Sequence, residues 1–120
     1  MLTTEQINSY NEKGYLVVEN AIPVDKLKEL QQVTDDFVNN SRDVKKNDEI
    51  YDLSPDHSSE NPVLRRLKNP HLIHKTYENI TTDPCILDIV EKLVGKNIRR
   101  DHTKLNFKSA KGGEAIEWHQ

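Results

Sequence analysis

Around Gly95 the chain changes its hydrophobic period, and no other feature limits the possible fold as much. Before the change, "DPCILDIVEKLVGKN" offers Asp83 as a cap, Pro84 at the first helical position and Gly95 as the stop. Ile86, Leu87, Ile89, Val90, Leu93 and Val94 form one apolar stripe along that helix. After the change, "NIRRDHTKLNFKSA" alternates with period two: Thr103, Leu105 and Phe107 on one face, Arg100, His102, Lys104, Asn106 and Lys108 on the other. A helical stretch followed by strands with one polar face reads as an α+β domain.

Upstream, Thr3 and Gln6 have the spacing of a capping box, which predicts a helix over about 4–13 that closes at Gly14. "YLVVEN" (15–20) is β-branched and aromatic and reads as a buried strand. Val24, Leu27, Leu30, Val33 and Phe37 then recur at intervals of three and four, which predicts a second helix after Pro23. Residues 39–61 are polar and read as a long functional or solvated loop. "PVLRRLKNPHLIHKTYENI" reads as one or two short helical turns interrupted at Pro70.

Paired glycines in "KGGE" predict a turn, and "AIEWH" resumes the alternation, so a β-hairpin is expected at 97–120. A last strand that exposes its backbone edge and Trp118 calls for more sheet beside it. Composition points the same way. With 34% hydrophobic and 31% charged residues in 120, the chain has little apolar area to offset its conformational entropy.

The net charge of −3 argues against a nucleic-acid surface, which needs clustered Lys and Arg to displace counterions. A single cysteine, Cys85, excludes an intrachain disulfide. There is no basic, apolar leader and no apolar run long enough to span a bilayer, so a soluble cytoplasmic protein is expected, with no membrane partner.

The phrases "GYLVVENAIP", "ILDIVEKLVGKNIR", "HTKLNFKS" and "EWHQ", in this order and spacing, resemble the phytanoyl-CoA dioxygenase family of iron(II)- and 2-oxoglutarate-dependent oxygenases. The resemblance covers essentially the whole chain but only the N-terminal portion of the family domain. It implies helical support over 1–95 and the first strands of a double-stranded β-helix, a cupin-like jelly roll, over 97–120, truncated one residue short of a His-Gln-Asp motif. It implies His119 as an iron ligand, with Gln120 beside it in the cofactor pocket. It also implies Lys104 as a contact of 2-oxoglutarate, and Lys68 or Arg66 as a further cation. The missing aspartate, distal histidine and arginine would leave this piece inactive by itself. Two imidazoles and a carboxylate suit iron(II) because they leave open positions for cosubstrate and dioxygen.

Each signal has a plainer alternative. His119 could be an exposed strand histidine, and Lys104 a solvated lysine at a strand rim. His71 and His74 lie three apart, a possible ligand spacing, but no carboxylate or cysteine cluster completes a site. Cys85 reads as a small hydrophobe, although a helix N-terminus can lower a thiol pKa. His102 reads as a histidine bonded to a neighbouring strand. The acidic stretch "NDEIYDLSPD" lacks the glycine and final glutamate of a calcium loop. The first functional reading is a dioxygenase acting on a small organic substrate with dioxygen, iron(II) and 2-oxoglutarate. The rivals are a complete non-catalytic α+β binding module and a pseudoenzyme that keeps an acidic ligand. The oligomeric state is not encoded in any pattern here.

Overall fold

The computed structural model describes residues 1–110 and 115–118. Its elements run α1 (Thr4–Lys13), α2 (Val24–Asn40), a 3₁₀ turn (Ser41–Asp43), β1 (Tyr51–Leu53), β2 (Leu64–Lys68), α3 (Pro70–Ile73), α4 (Lys75–Thr81), α5 (Pro84–Val94) and β3 (Lys104–Asn106). The class is α+β. Helices flank a small antiparallel sheet of order β1-β2-β3.

The helix ends follow from local chemistry. In α1 the Thr3 hydroxyl accepts from the Gln6 amide while the Gln6 side chain accepts from the Thr3 amide, and Gly14 closes the helix at φ 81°. In α5 the Asp83 carboxylate accepts from the Cys85 amide, with Pro84 at the first turn and Gly95 as C-cap. The predicted boundaries of both helices are met.

The core lies between α2, α4 and the inner face of the sheet. Tyr51, Leu64, Leu67 and Tyr77 are buried, with Leu30, Val33, Phe37 and Leu105 among the half-buried side chains packed on them. Phe37 holds the layers together, with ring centroids 6.4 Å from Tyr51 and 6.0 Å from Tyr77. Thr34 and Tyr77 share a 2.7 Å hydroxyl contact that satisfies the phenol at the edge of this cluster.

The segment Leu64–Lys68, expected as helical, is a strand. Leu64 and Leu67 sit three apart, which mimics a helical face. The register explains how one strand buries both: Asp52 pairs with Arg66 while Leu53 pairs with Leu64, which leaves Arg65 as the extra residue of a bulge. The bulge returns Leu64 to the side of the sheet that Leu67 faces. Pro70 likewise begins a helix and does not interrupt one.

Three further expectations are corrected. Residues 15–20 are not a buried strand, since they have no ladder partner among the described residues and Tyr15 and Val17 are exposed at 65% and 73%. The chain there ends in a turn at Glu19–Asn20, where Asn20 takes φ 56°. The loop of 39–61 contains the 3₁₀ turn and β1, and its Tyr51 is a core residue. Its turn is built by Asp48, whose carboxylate accepts from the Ile50 and Tyr51 amides, and by Asn47, whose Oδ1 accepts from Leu53 N–H. Finally, Ala115–Trp118 is assigned to no strand and is exposed, with Trp118 fully so, and the expected "KGGE" turn lies outside the described residues. No helix among the described residues is long and apolar enough to cross a membrane.

Candidate functional site

β3 alternates as its sequence predicts, with Leu105 inward and Lys104 and Asn106 outward. Its register on β2 pairs Lys104 with Lys68 and Asn106 with Arg66. Two residues proposed from sequence, 36 positions apart, thus meet as direct cross-strand neighbours on the outer face. Asp52 of β1 joins them: its carboxylate lies 3.2 Å from Lys68 Nζ and 3.7 Å from the Arg66 guanidinium. Arg66 Nε also donates to Asn106 Oδ1 at 3.0 Å. On this face Arg66, Lys68 and Lys104 thus lie around the Asp52 carboxylate.

Asp52 is the residue that sequence reasoning missed. It looked like part of an acidic loop because β1 is only three residues long, too short for its alternation to register.

The position of Lys104 depends on the turn into α3. Asn69 adopts φ 44°, and its backbone N–H donates to Thr103 O at 3.0 Å while its Oδ1 accepts from Thr103 N–H at 3.3 Å. His71 Nδ1 lies 2.6 Å from the Thr103 hydroxyl. Burial, with the Arg100 charge added, holds the His71 pKa below its ordinary value, so the ring is neutral there at neutral pH. The residue just before Lys104 is thus fastened from three directions.

The remaining candidates separate from this face. His74 caps α4 by accepting from Thr76 N–H while His71 contacts Thr103, so the two histidines have separate structural roles. His102 pairs with its chain neighbour Asp101 at 2.8 Å and not with another strand. Burial pushes the Cys85 thiol pKa up and the Asp83 carboxylate adds to the rise, opposite to the helix-terminus effect considered from sequence. His119 and Gln120 lie outside the described residues. Among the described residues no group of three His, Cys, Asp or Glu side chains could hold a metal, so they do not by themselves fit iron.

The order of elements and the outward lysine pair can be set against known proteins. A family model described as Phytanoyl-CoA dioxygenase (PhyH) matches residues 10–120. The chain belongs to the phytanoyl-CoA dioxygenase family. It is also similar to a protein from Stutzerimonas stutzeri named as a probable alpha-ketoglutarate-dependent hypophosphite dioxygenase, with 27% identity over 116 residues. That likeness covers 97% of this chain and 40% of the relative's length. As a phytanoyl-CoA dioxygenase family member, the chain carries Lys68, Lys104 and Asp52 on sheet strands within the matched region.

Proposed function

We propose that this chain is the N-terminal part of one oxygenase domain, with residues 1–120 supplying helical support and the first strands of a double-stranded β-helix. The whole protein is a 2-oxoglutarate- and iron(II)-dependent dioxygenase acting with dioxygen on a small molecule. Family membership and the 2-oxoglutarate dependence in the relative's name support this reading. The observation that carries it furthest is the Lys68–Lys104 pair, a local excess of positive charge on one strand face that suits a dicarboxylate cosubstrate.

In this proposal Lys104 binds a carboxylate of 2-oxoglutarate, and Lys68, already paired to Asp52, adds a weaker field. His119 supplies one iron ligand, Gln120 lies beside it, and the other ligands come from residues beyond these 120. Iron and 2-oxoglutarate, when bound, supply the oxidising chemistry, while the protein supplies orientation and exclusion of water. The exposed surface supports a larger domain: 9329 Å² is accessible, against roughly 6,700 Å² for a compact monomer of this mass. The α5 stripe is only half-buried, and Val94 is 59% exposed. The substrate class stays at small molecules, because a family named for an acyl thioester and a relative named for hypophosphite point to substrates of very different size and structure. A soluble cytoplasmic setting is part of the same proposal.

The test is anaerobic titration of the full-length protein with iron(II) and 2-oxoglutarate. The expected result is a visible charge-transfer band that His119→Ala abolishes. Binding of 2-oxoglutarate that ignores iron would favour the pseudoenzyme, and no binding at all would favour the non-catalytic module.

A further inference from the structure

A second basic surface lies away from the lysine pair, in a cleft of about 590 Å³ between the 3₁₀ turn, the loop after it and the β1–β2 connection. Arg42, Lys45 and Arg65 line it together with Asn47, Ser54 and Ser58, and among the described residues no carboxylate does. Asp48, next in the chain to the lining residue Asn47, has its carboxylate engaged by the Ile50 and Tyr51 amides.

The hydrogen bonds here have a consistent polarity. Asn47 Oδ1 accepts from Leu53 N–H, Ser58 Oγ accepts from Asn61 N–H, and Ser54 Oγ accepts from Asp56 N–H. Each side chain thus uses its acceptor oxygen on the backbone and keeps hydroxyl or amide hydrogens to donate. His57 does the same for the frame. Its Nδ1 accepts from Val63 N–H, so Nε2 carries the proton given to Val44 O at 3.1 Å. Arg42 completes the strap by donating to Ser59 O at 2.8 Å and Glu60 O at 3.1 Å. A cleft that offers hydroxyl and amide hydrogens beside cationic side chains is complementary to a ligand rich in acceptors.

We propose that this cleft binds a small oxyanion of the phosphate type, held by Lys45 with donors from Asn47, Ser54 and Ser58. The site stands independently of the oxygenase reading. A phosphate group could arrive free or as the end of an organic molecule, and the same donors would recognise both.

The test uses the full-length protein, followed by two-dimensional amide NMR during titration with inorganic phosphate and, separately, phenyl phosphate. Saturable shifts centred on residues 45–59 are expected, with a dissociation constant on the order of 1 mM. Lys45→Gln, an exposed change that leaves the fold intact, should weaken binding about tenfold. Ser58→Ala should weaken it less, and Lys68→Gln should leave it unchanged. Equal affinity for both probes supports the site and identifies the free anion as ligand; tighter phenyl phosphate supports it and identifies a monoester. Absence of saturable shifts, or binding lost with Lys68→Gln and not with Lys45→Gln, overturns the proposal.

Discussion

Lys68 and Lys104 sit directly opposite one another across the β2–β3 ladder, and Asp52 from β1 lies 3.2 Å from the first of them. Like charges in direct cross-strand register repel, so this pairing is tolerated because Asp52 neutralises one side and solvent screens the other. Asp52→Asn removes that neutralisation and leaves Arg66, Lys68 and Lys104 together. We expect a loss of about 1 kcal/mol in urea unfolding, larger at low salt, where screening is weak. A loss that does not depend on salt would show that Asp52 acts by packing alone.

The same geometry ranks the two lysines toward an anionic cosubstrate. Lys104→Ala in the full-length protein should weaken 2-oxoglutarate binding about tenfold, and Lys68→Ala less, because Asp52 already offsets its charge. Calorimetric titration measures both. Equal affinities in wild type and Lys104→Ala would remove Lys104 from the pocket.

Leu67 is fully buried and stands between Tyr51 and Leu105 in the ladder. Leu67→Ala should cost about 3 kcal/mol, the usual cost of a large-to-small change at a packed site. Chemical denaturation monitored by circular dichroism would show it. An effect below ~1 kcal/mol would mean that the three-stranded sheet is not the stable centre of the domain.

The Asp83 carboxylate, engaged by Lys26 and by the Cys85 amide, has its pKa lowered from 3.8 to about 2. A carboxylate depressed by folding contributes stability that is fully present above its unfolded pKa and is lost as pH falls through the folded one. The expected window is therefore from about pH 4 down to about pH 2. Lys26→Gln should flatten thermal stability across that window. Unchanged pH dependence in the variant would mean that the amide bond alone sets the shift.

Asn69 combines a positive φ with a side-chain acceptor for Thr103. Asn69→Ala loses both and should destabilise by about 2 kcal/mol, while Asn69→Gly recovers the backbone part, about half of it. Thermal melts of the two variants separate strain from hydrogen bonding. If Gly is no better than Ala, the backbone angle carries no cost.

Where the deciding interactions are close in the chain, the sequence was sufficient. Thr3 with Gln6, and Asp83 with Pro84 and Gly95, set helix ends through contacts within one turn, and the alternation around Leu105 set which side of β3 faces solvent. The strand at Leu64–Lys68 was hidden because its bulge gives two buried leucines a helical spacing, and only pairing with β1 reveals the extra residue. Residues 15–20 failed in the opposite sense: a strand composition found no ladder to join among the described residues.

By itself the sequence determined the capped helices, the polar and apolar faces of β3 and the resemblance to its family, because each depends on residue type at short spacing. The tertiary structure alone decided that Lys68 meets Lys104, that Asp52 joins them, and that Ser54 and Ser58 line one cleft with Arg42, Lys45 and Arg65. Those relationships link residues far apart in the chain, and hydrogen-bond register, which no local pattern encodes, brings them together.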